Sequence, residues 1–223
     1  MSSFSLGLRA DAEAIWEQQH AHPFVTGVGD GTLPEEAFKF YVRQDYLFLI
    51  DYGRLLALGA VRAPRLEWMR RFAGLSQAIL ETEMELHRAY AAAWGIGPDE
   101  LEAESAAPAT SGYADFLLRT AALGDFAELA AALLPCLWGY AEIGERLARG
   151  PRPEHPLYAQ WIDMYAGEDF QLLAVWSREL VDAAAVELGR PGHDRMRSAF
   201  LASSRHELAF WESAWRYRRS SAR

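Results

Sequence analysis

Along almost the whole chain, apolar residues return every three to four positions, the spacing of one face of an α-helix. Sustained apolar–polar alternation, the mark of a half-buried strand, is absent. The pattern predicts helices near 6–20, 34–61, 65–94, 111–123, 125–149, 156–187 and 193–218, the sixth interrupted around Gly167. The breaks fall where backbone chemistry places them. "TGVGDGTLPEE" carries three glycines and then sets Thr32 and Glu35 at capping-box spacing. "RAPRLEW", "GPRPEHP" and "GRPGHD" supply proline and glycine stops. "GPDELEAESAAPATSG" is the longest loop, with room for a short helical turn, and the Trp, Leu and Met positions of "LEWMRRFAGLSQAIL" read as core. No break has a linker's composition and no repeat is present. Residues 1–223 are therefore expected to form one all-α domain, a compact bundle of about seven helices.

Composition narrows the function classes. The formal charge of −9 argues against phosphate-backbone binding, and hence nucleic acid, and favours small neutral or cationic ligands. The single cysteine, Cys136, leaves no internal disulfide and no sign of an oxidising compartment. The N-terminus meets charge by Arg9, too early for an apolar signal core. The uncharged stretch Leu129–Ala141 is shorter than the roughly 20 residues of a membrane span. A cytoplasmic protein with no membrane partner is expected. Eight tryptophans, nine tyrosines and eleven phenylalanines are a heavy aromatic load, suited to a core or to a pocket for a flat ligand.

Three helices each carry an unusual group on an apolar face. In "FYVRQDYLFLIDYG", Tyr41, Asp45, Phe48 and Tyr52 form one stripe, which sets a carboxylate among aromatics. Asp45 is either paired with Arg43 or another arginine, or faces a polar heterocycle and hydrogen-bonds it. In "LLPCLWGYAEIGERL", Cys136 follows a proline and shares a face with Tyr140, Ile143 and Leu147. It is either a small buried hydrophobe or a nucleophile. Pro135 lacks an amide hydrogen and breaks the bond to Ala131, so the next turn would resemble a fresh helix start whose dipole lowers the thiol pKa. In "AFLASSRHELAFWESAW", Phe200, Ser203, Glu207, Phe210, Trp211 and Ala214 share a stripe, which turns Glu207 inward. Glu207 is either ion-paired to an arginine or a carboxyl held neutral by apolar surroundings, suited to general acid work.

"RQDYLFLIDYGR", "LLPCLWGYAEIGERL", "WIDMYAGEDF" and "SSRHELAFWESAW", in this order, resemble the thiaminase II (TenA) family and its haem-oxygenase-like all-α fold. The resemblance covers nearly the whole chain. It implies Cys136 as nucleophile, Glu207 as acid/base, and Asp45 as ligand of the pyrimidine ring nitrogen and amino group. It further implies Phe48 and Tyr140 flanking the ring, with Tyr113 and Tyr165 lining the site. The implied activity is aminopyrimidine aminohydrolase: hydrolysis of 4-amino-5-aminomethyl-2-methylpyrimidine to its hydroxymethyl counterpart in thiamin salvage, with thiamin itself cleaved by many members. It implies a homotetramer that uses no cofactor and no metal. Phe48 replaces a tyrosine of some relatives, and His206 stands where tyrosine is commoner.

Three other readings have sequence support. Glu83 and His87, one helical turn apart in "ETEMELH", with Glu142 as a third ligand, would suit a metal-dependent oxygenase on the same fold. His20 and His22 lie where a haem ligand could sit, or near a helix C-terminus whose dipole suits them. A noncatalytic pyrimidine- or thiamin-binding regulatory protein would keep Asp45 and the aromatics without needing Cys136 and Glu207 together. "RYRRSSAR" reads as a frayed basic helix end.

Overall fold

The computed structural model describes the backbone of residues 3–221 and the side chains of residues 3–217. The described chain is all-α, with eleven helices rather than about seven. They are α1 Phe4–Asp11, α2 Glu13–His20, α3 Pro23–Asp30 and α4 Glu35–Arg62. α5 runs through Leu66–Ala78, a π-helical turn at Ile79–Glu83, and Met84–Ala92. α6 is Pro98–Glu102 and α7 Pro108–Leu123; α8 joins Phe126–Leu134, a second π turn at Pro135–Gly139, and Tyr140–Ala148. α9 Pro156–Ala166, α10 Glu168–Ala185 and α11 Arg190–Ser221 complete the fold. Most of "RYRRSSAR" lies outside the described side chains.

Two of the four extra elements come from short breaks within expected helices, and α6 is the short helical turn of the longest loop. Ala12 divides the first, and Gly167 divides the sixth as its position implied. α3 is different, because its glycines suggested only a break. Gly31, at φ +77, does end the helix in the left-handed region. Gly29 instead sits inside it, where a Cβ would lie 2.7 Å from the tip of Leu147. The Thr32–Glu35 capping box does not form: the Thr32 hydroxyl donates to Asp30 Oδ1 at 2.6 Å, and α4 starts after Pro34 without a side-chain cap. A capping box occurs at α8 instead, between Asp125 and Glu128. Trp68 and Phe72 are core, but Leu66 and Met69 are exposed at 59% and 41%.

α4 and α11 are the long staves, packed on each other and on α7, with α5 against α4 and α8 against α11. The apolar helix α8 is long enough, at 23 residues, to cross a membrane, contrary to the shorter stretch seen in sequence. Its apolar window is 78% buried inside the fold, so it serves as the central core helix. One apolar cluster gathers around its first half; a second joins Tyr41, Tyr140, Trp161 and Trp211. The inner ends of α4, α5, α7 to α9 and α11 enclose a cavity of about 1070 Å³ between these clusters, with α10 at its side.

Candidate active site

Asp45, Phe48, Tyr113, Cys136, Tyr140, Tyr165 and Glu207 all line this one cavity. They arrive from five helices, so only the packed bundle brings them together. Cys136 is carried by the second π turn and Glu83 by the first. A π turn widens the backbone ring and shifts the faces beyond it, a device frequent at functional sites.

Glu207 is 2% exposed and has no arginine partner among the described residues. Its Oε1 accepts the Tyr113 hydroxyl at 2.7 Å, and the Tyr113 oxygen is also 2.8 Å from Ser203 Oγ. Burial pushes the Glu207 pKa up to about 8, against the pull of Tyr113 and the neighbouring thiol, with the Asp45 charge adding to the rise. The carboxyl is therefore neutral at pH 7. His206 lies parallel to the Tyr113 ring at 5.3 Å and stacks on Phe116, so its ring packs on the tyrosine that bonds Glu207.

The Cys136 thiol interacts with both Glu207 and the Tyr52 hydroxyl. Tyr52 has no other hydrogen-bond partner among the described residues. The expected lowering of the thiol pKa does not occur. Burial, together with the charges of Glu207, Asp45 and Glu83, pushes it well up. Desolvation and three carboxyls outweigh whatever a partial helix start at Pro135 contributes. Cys136 rests as a neutral thiol.

Asp45 does not meet Arg43, which turns outward to Glu100 and Glu104. Its Oδ2 accepts the Tyr41 hydroxyl at 3.2 Å and lies 2.7 Å from His87 Nε2. Tyr41 also accepts Trp161 Nε1–H at 3.2 Å and interacts with Tyr140 and Tyr165, so one buried network braces this wall. Phe48 stacks on Tyr113 at 5.0 Å, and Tyr140 tilts against Tyr165 at 4.8 Å. These rings build apolar faces above a polar edge, which suits a flat heterocycle.

The proposed metal ligands do not converge. Glu142 is drawn away to Arg9 and His20, leaving Glu83 and His87 without it. No group of three ligating side chains that could hold a metal ion occurs among the described residues. His20 ends α2, as a C-terminal dipole would favour, whereas His22 caps the start of α3 by accepting Phe24 N–H through Nδ1. His22 Nε2 lies 3.0 Å from Glu212. Sequence reasoning missed Tyr52 as a thiol neighbour and His87 as the partner of Asp45. Tyr52 was visible in the Asp45 stripe, and His87 only in an acidic helix that suggested metal.

The TENA/THI-4/PQQC family model matches residues 9–217. An aminopyrimidine aminohydrolase of Halalkalibacterium halodurans is 43% identical over 97% of each chain. A TenA homologue from P. horikoshii OT3 superposes with a TM-score of 0.89 at 34% identity, covering 96% of this chain and 99% of its own. A Shewanella denitrificans domain described as having a heme oxygenase-like fold reaches a TM-score of 0.74 at 12% identity, with 96% of this chain and 93% of that one covered, which establishes the fold alone. By family match, identity and coverage, the chain belongs to the TENA/THI-4/PQQC family.

Proposed function

We propose that this chain is an aminopyrimidine aminohydrolase acting in thiamin metabolism, with Cys136 as nucleophile, Glu207 as proton relay and Asp45 as the ring-binding carboxylate. The observation that carries the reading is that one cavity receives the only thiol, a neutral carboxyl beside it and a buried aspartate, in a chain whose relatives bear this activity. The substrate, 4-amino-5-aminomethyl-2-methylpyrimidine, lays its faces between Phe48 and Tyr140, with Tyr113 and Tyr165 around it. Its amino edge meets Asp45, which favours ring protonation and so makes the ring more electrophilic.

The proton inventory of the resting site gives the chemistry a definite order. Glu207 begins protonated and hands its proton to the 5-aminomethyl nitrogen. The resulting carboxylate takes the proton of Cys136, and the thiolate adds to a ring carbon. Ammonia leaves from the methylene. Water then attacks that carbon, giving its proton to Glu207 as Glu207 protonates the departing sulfur. The balance is one amine and one water in, one alcohol and one ammonia out, with both side chains restored. A binding protein without catalysis would not need Cys136 and Glu207 together.

Direct ammonia release from the aminopyrimidine tests this. Cys136→Ser is expected to abolish turnover while still binding the pyrimidine; wild-type turnover in that variant would remove the nucleophile. Thiamin is the second substrate, supported by the cavity's size and rim. About 1070 Å³ exceeds what one small ring fills, and Glu81, Glu85, Glu168 and Asp169 line it without any lysine or arginine, a setting for a cationic ring substituent. Equal assays of thiamin and the aminopyrimidine decide the preference.

The cavity draws walls from residue 45 to residue 210, which supports treating 1–223 as one catalytic domain. A cytoplasmic homotetramer that contacts neither membrane nor nucleic acid completes the proposal, supported by the single cysteine, the −9 charge and exposed Val61, Leu123 and Val186. Light scattering should give four times the 25.0 kDa chain mass.

A further inference from the structure

His87 lies behind the ring-binding carboxylate, and its hydrogen bonds fix a proton on one ring nitrogen and place another between the second nitrogen and Asp45. Nδ1 is 2.9 Å from the Glu83 backbone oxygen at the end of the first π turn. A carbonyl only accepts, so Nδ1 carries a proton. Nε2 is 2.7 Å from Asp45 Oδ2, a distance that requires a second proton between them. His87 is 2% exposed, so water cannot substitute for either partner. Oδ2 already receives Tyr41 and His87, which fills its two lone pairs, while Oδ1 has no protein donor among the described residues.

We propose that His87 is a positioning residue for the reaction: as an imidazolium anchored to the Glu83 carbonyl, it keeps buried Asp45 ionised and presents Oδ1 alone to the donor edge of the aminopyrimidine. Without a cationic donor, a carboxyl as buried as Asp45 would favour its neutral form, and a protonated Oδ1 would offer the ring a donor where an acceptor is needed. The arrangement also fits the proton count of the site: burial holds Glu207 and Cys136 neutral, and the ionised Asp45 adds to that by raising both. The direction of the His87 pKa is consistent. Burial opposes the charged form, but the Asp45 hydrogen bond and charge prevail and raise it. The inference rests on Asp45 as the ring-binding group.

The titratable groups that face the pair are Tyr41 from α4, Glu83 and Tyr90 from α5, Cys136 and Tyr140 from α8, Tyr165 from α9 and Glu207 from α11. Glu83, pushed up to about 7 by burial, is the one able to titrate near the acid limb, so Glu83→Gln is measured alongside. His87→Gln keeps a donor to Oδ2 but removes the charge. It should lower kcat/KM for the aminopyrimidine by roughly 10–100-fold and move the acid limb upward, in the Glu83→Gln background as well. A purely structural histidine would change thermal stability and leave that limb in place. Asp45→Asn separates the two levels of inference. A damaged Asp45→Asn beside a wild-type-like His87→Gln would overturn the positioning role alone. An unaffected Asp45→Asn would overturn the ring-binding reading and this proposal with it. Nitrogen NMR of the wild-type His87 ring needs no variant: two protonated nitrogens at pH 7 are expected, and a bare Nε2 would overturn the proposal.

Discussion

Glu207 is the side chain whose surroundings most alter its chemistry. Helical spacing alone turned it inward, because Ser203, Phe210 and Trp211 lie on the same stripe and are buried with it. Spacing could not choose between an arginine partner and neutrality. The fold supplies the Tyr113 hydroxyl and the Cys136 thiol instead of a cation, so burial prevails and the carboxyl keeps its proton to about pH 8. As the proton donor of the first half-reaction it fails once deprotonated. The kcat/KM profile should therefore fall as pH rises through about 8. Glu207→Gln should lower kcat by roughly 10²–10⁴ and erase that alkaline limb; an unchanged limb in the variant would assign it to another group. Cys136 shows the opposite relation to sequence. Its position beside Pro135 suggested an acidified thiol, yet the nearest charges are negative and the dielectric is low.

Among the helices, α8 governs the site because it carries Cys136 within a change in backbone register and Tyr140 just beyond it. Its regular periodicity was legible, but the π turn was not, since a proline predicts only a missing hydrogen bond and not how neighbouring turns absorb it. Close packing then locks the second half of α8 to α9. A Cβ on Gly144 would stand 2.6 Å from the Tyr165 carbonyl carbon and 2.7 Å from Ala166 N, both backbone atoms that cannot swing aside. Gly144→Ala should cost about 1–3 kcal/mol by denaturant unfolding. It should also raise KM, because the backbone it displaces bears Tyr165. A variant with wild-type stability and KM would show that α9 yields without moving the site. The glycines of α3 differ: read singly they punctuate, but Gly29 lies inside the helix, facing the movable tip of Leu147 of α8.

The assembled protein accepts an electrostatic cost for its cavity. In the unfolded chain the carboxyls of Glu83 and Glu207 lose their protons near 4.5, whereas in the fold they hold them to about 7 and about 8. The native state therefore binds more protons over that interval, and stability falls as pH rises through it. His20, His22 and His206, whose pKa values burial lowers in the fold, oppose this trend below about pH 7.5, where the unfolded chain still sheds their protons, and leave it unmasked above. The raised pKa of His87 acts in the same direction as the carboxyls. The melting temperature should drop from about pH 7.5 to 8.5, and less steeply in Glu207→Gln. Parallel slopes for the two proteins would place the cost elsewhere.

Periodicity and turn chemistry alone determined the helical class, most long helices and the inward aim of Asp45 and Glu207, because these follow from spacing along one helix. The motifs, through family resemblance, pointed to a shared pyrimidine site. What no local pattern could supply was the identity of partners across helices: His87 rather than Arg43 for Asp45, Tyr113 for Glu207, Arg9 for Glu142. Those pairings depend on which faces meet at a crossing and on how two π turns shift them. Charge and proton occupancy in the cavity depend in turn on burial, which exists only once the bundle has closed.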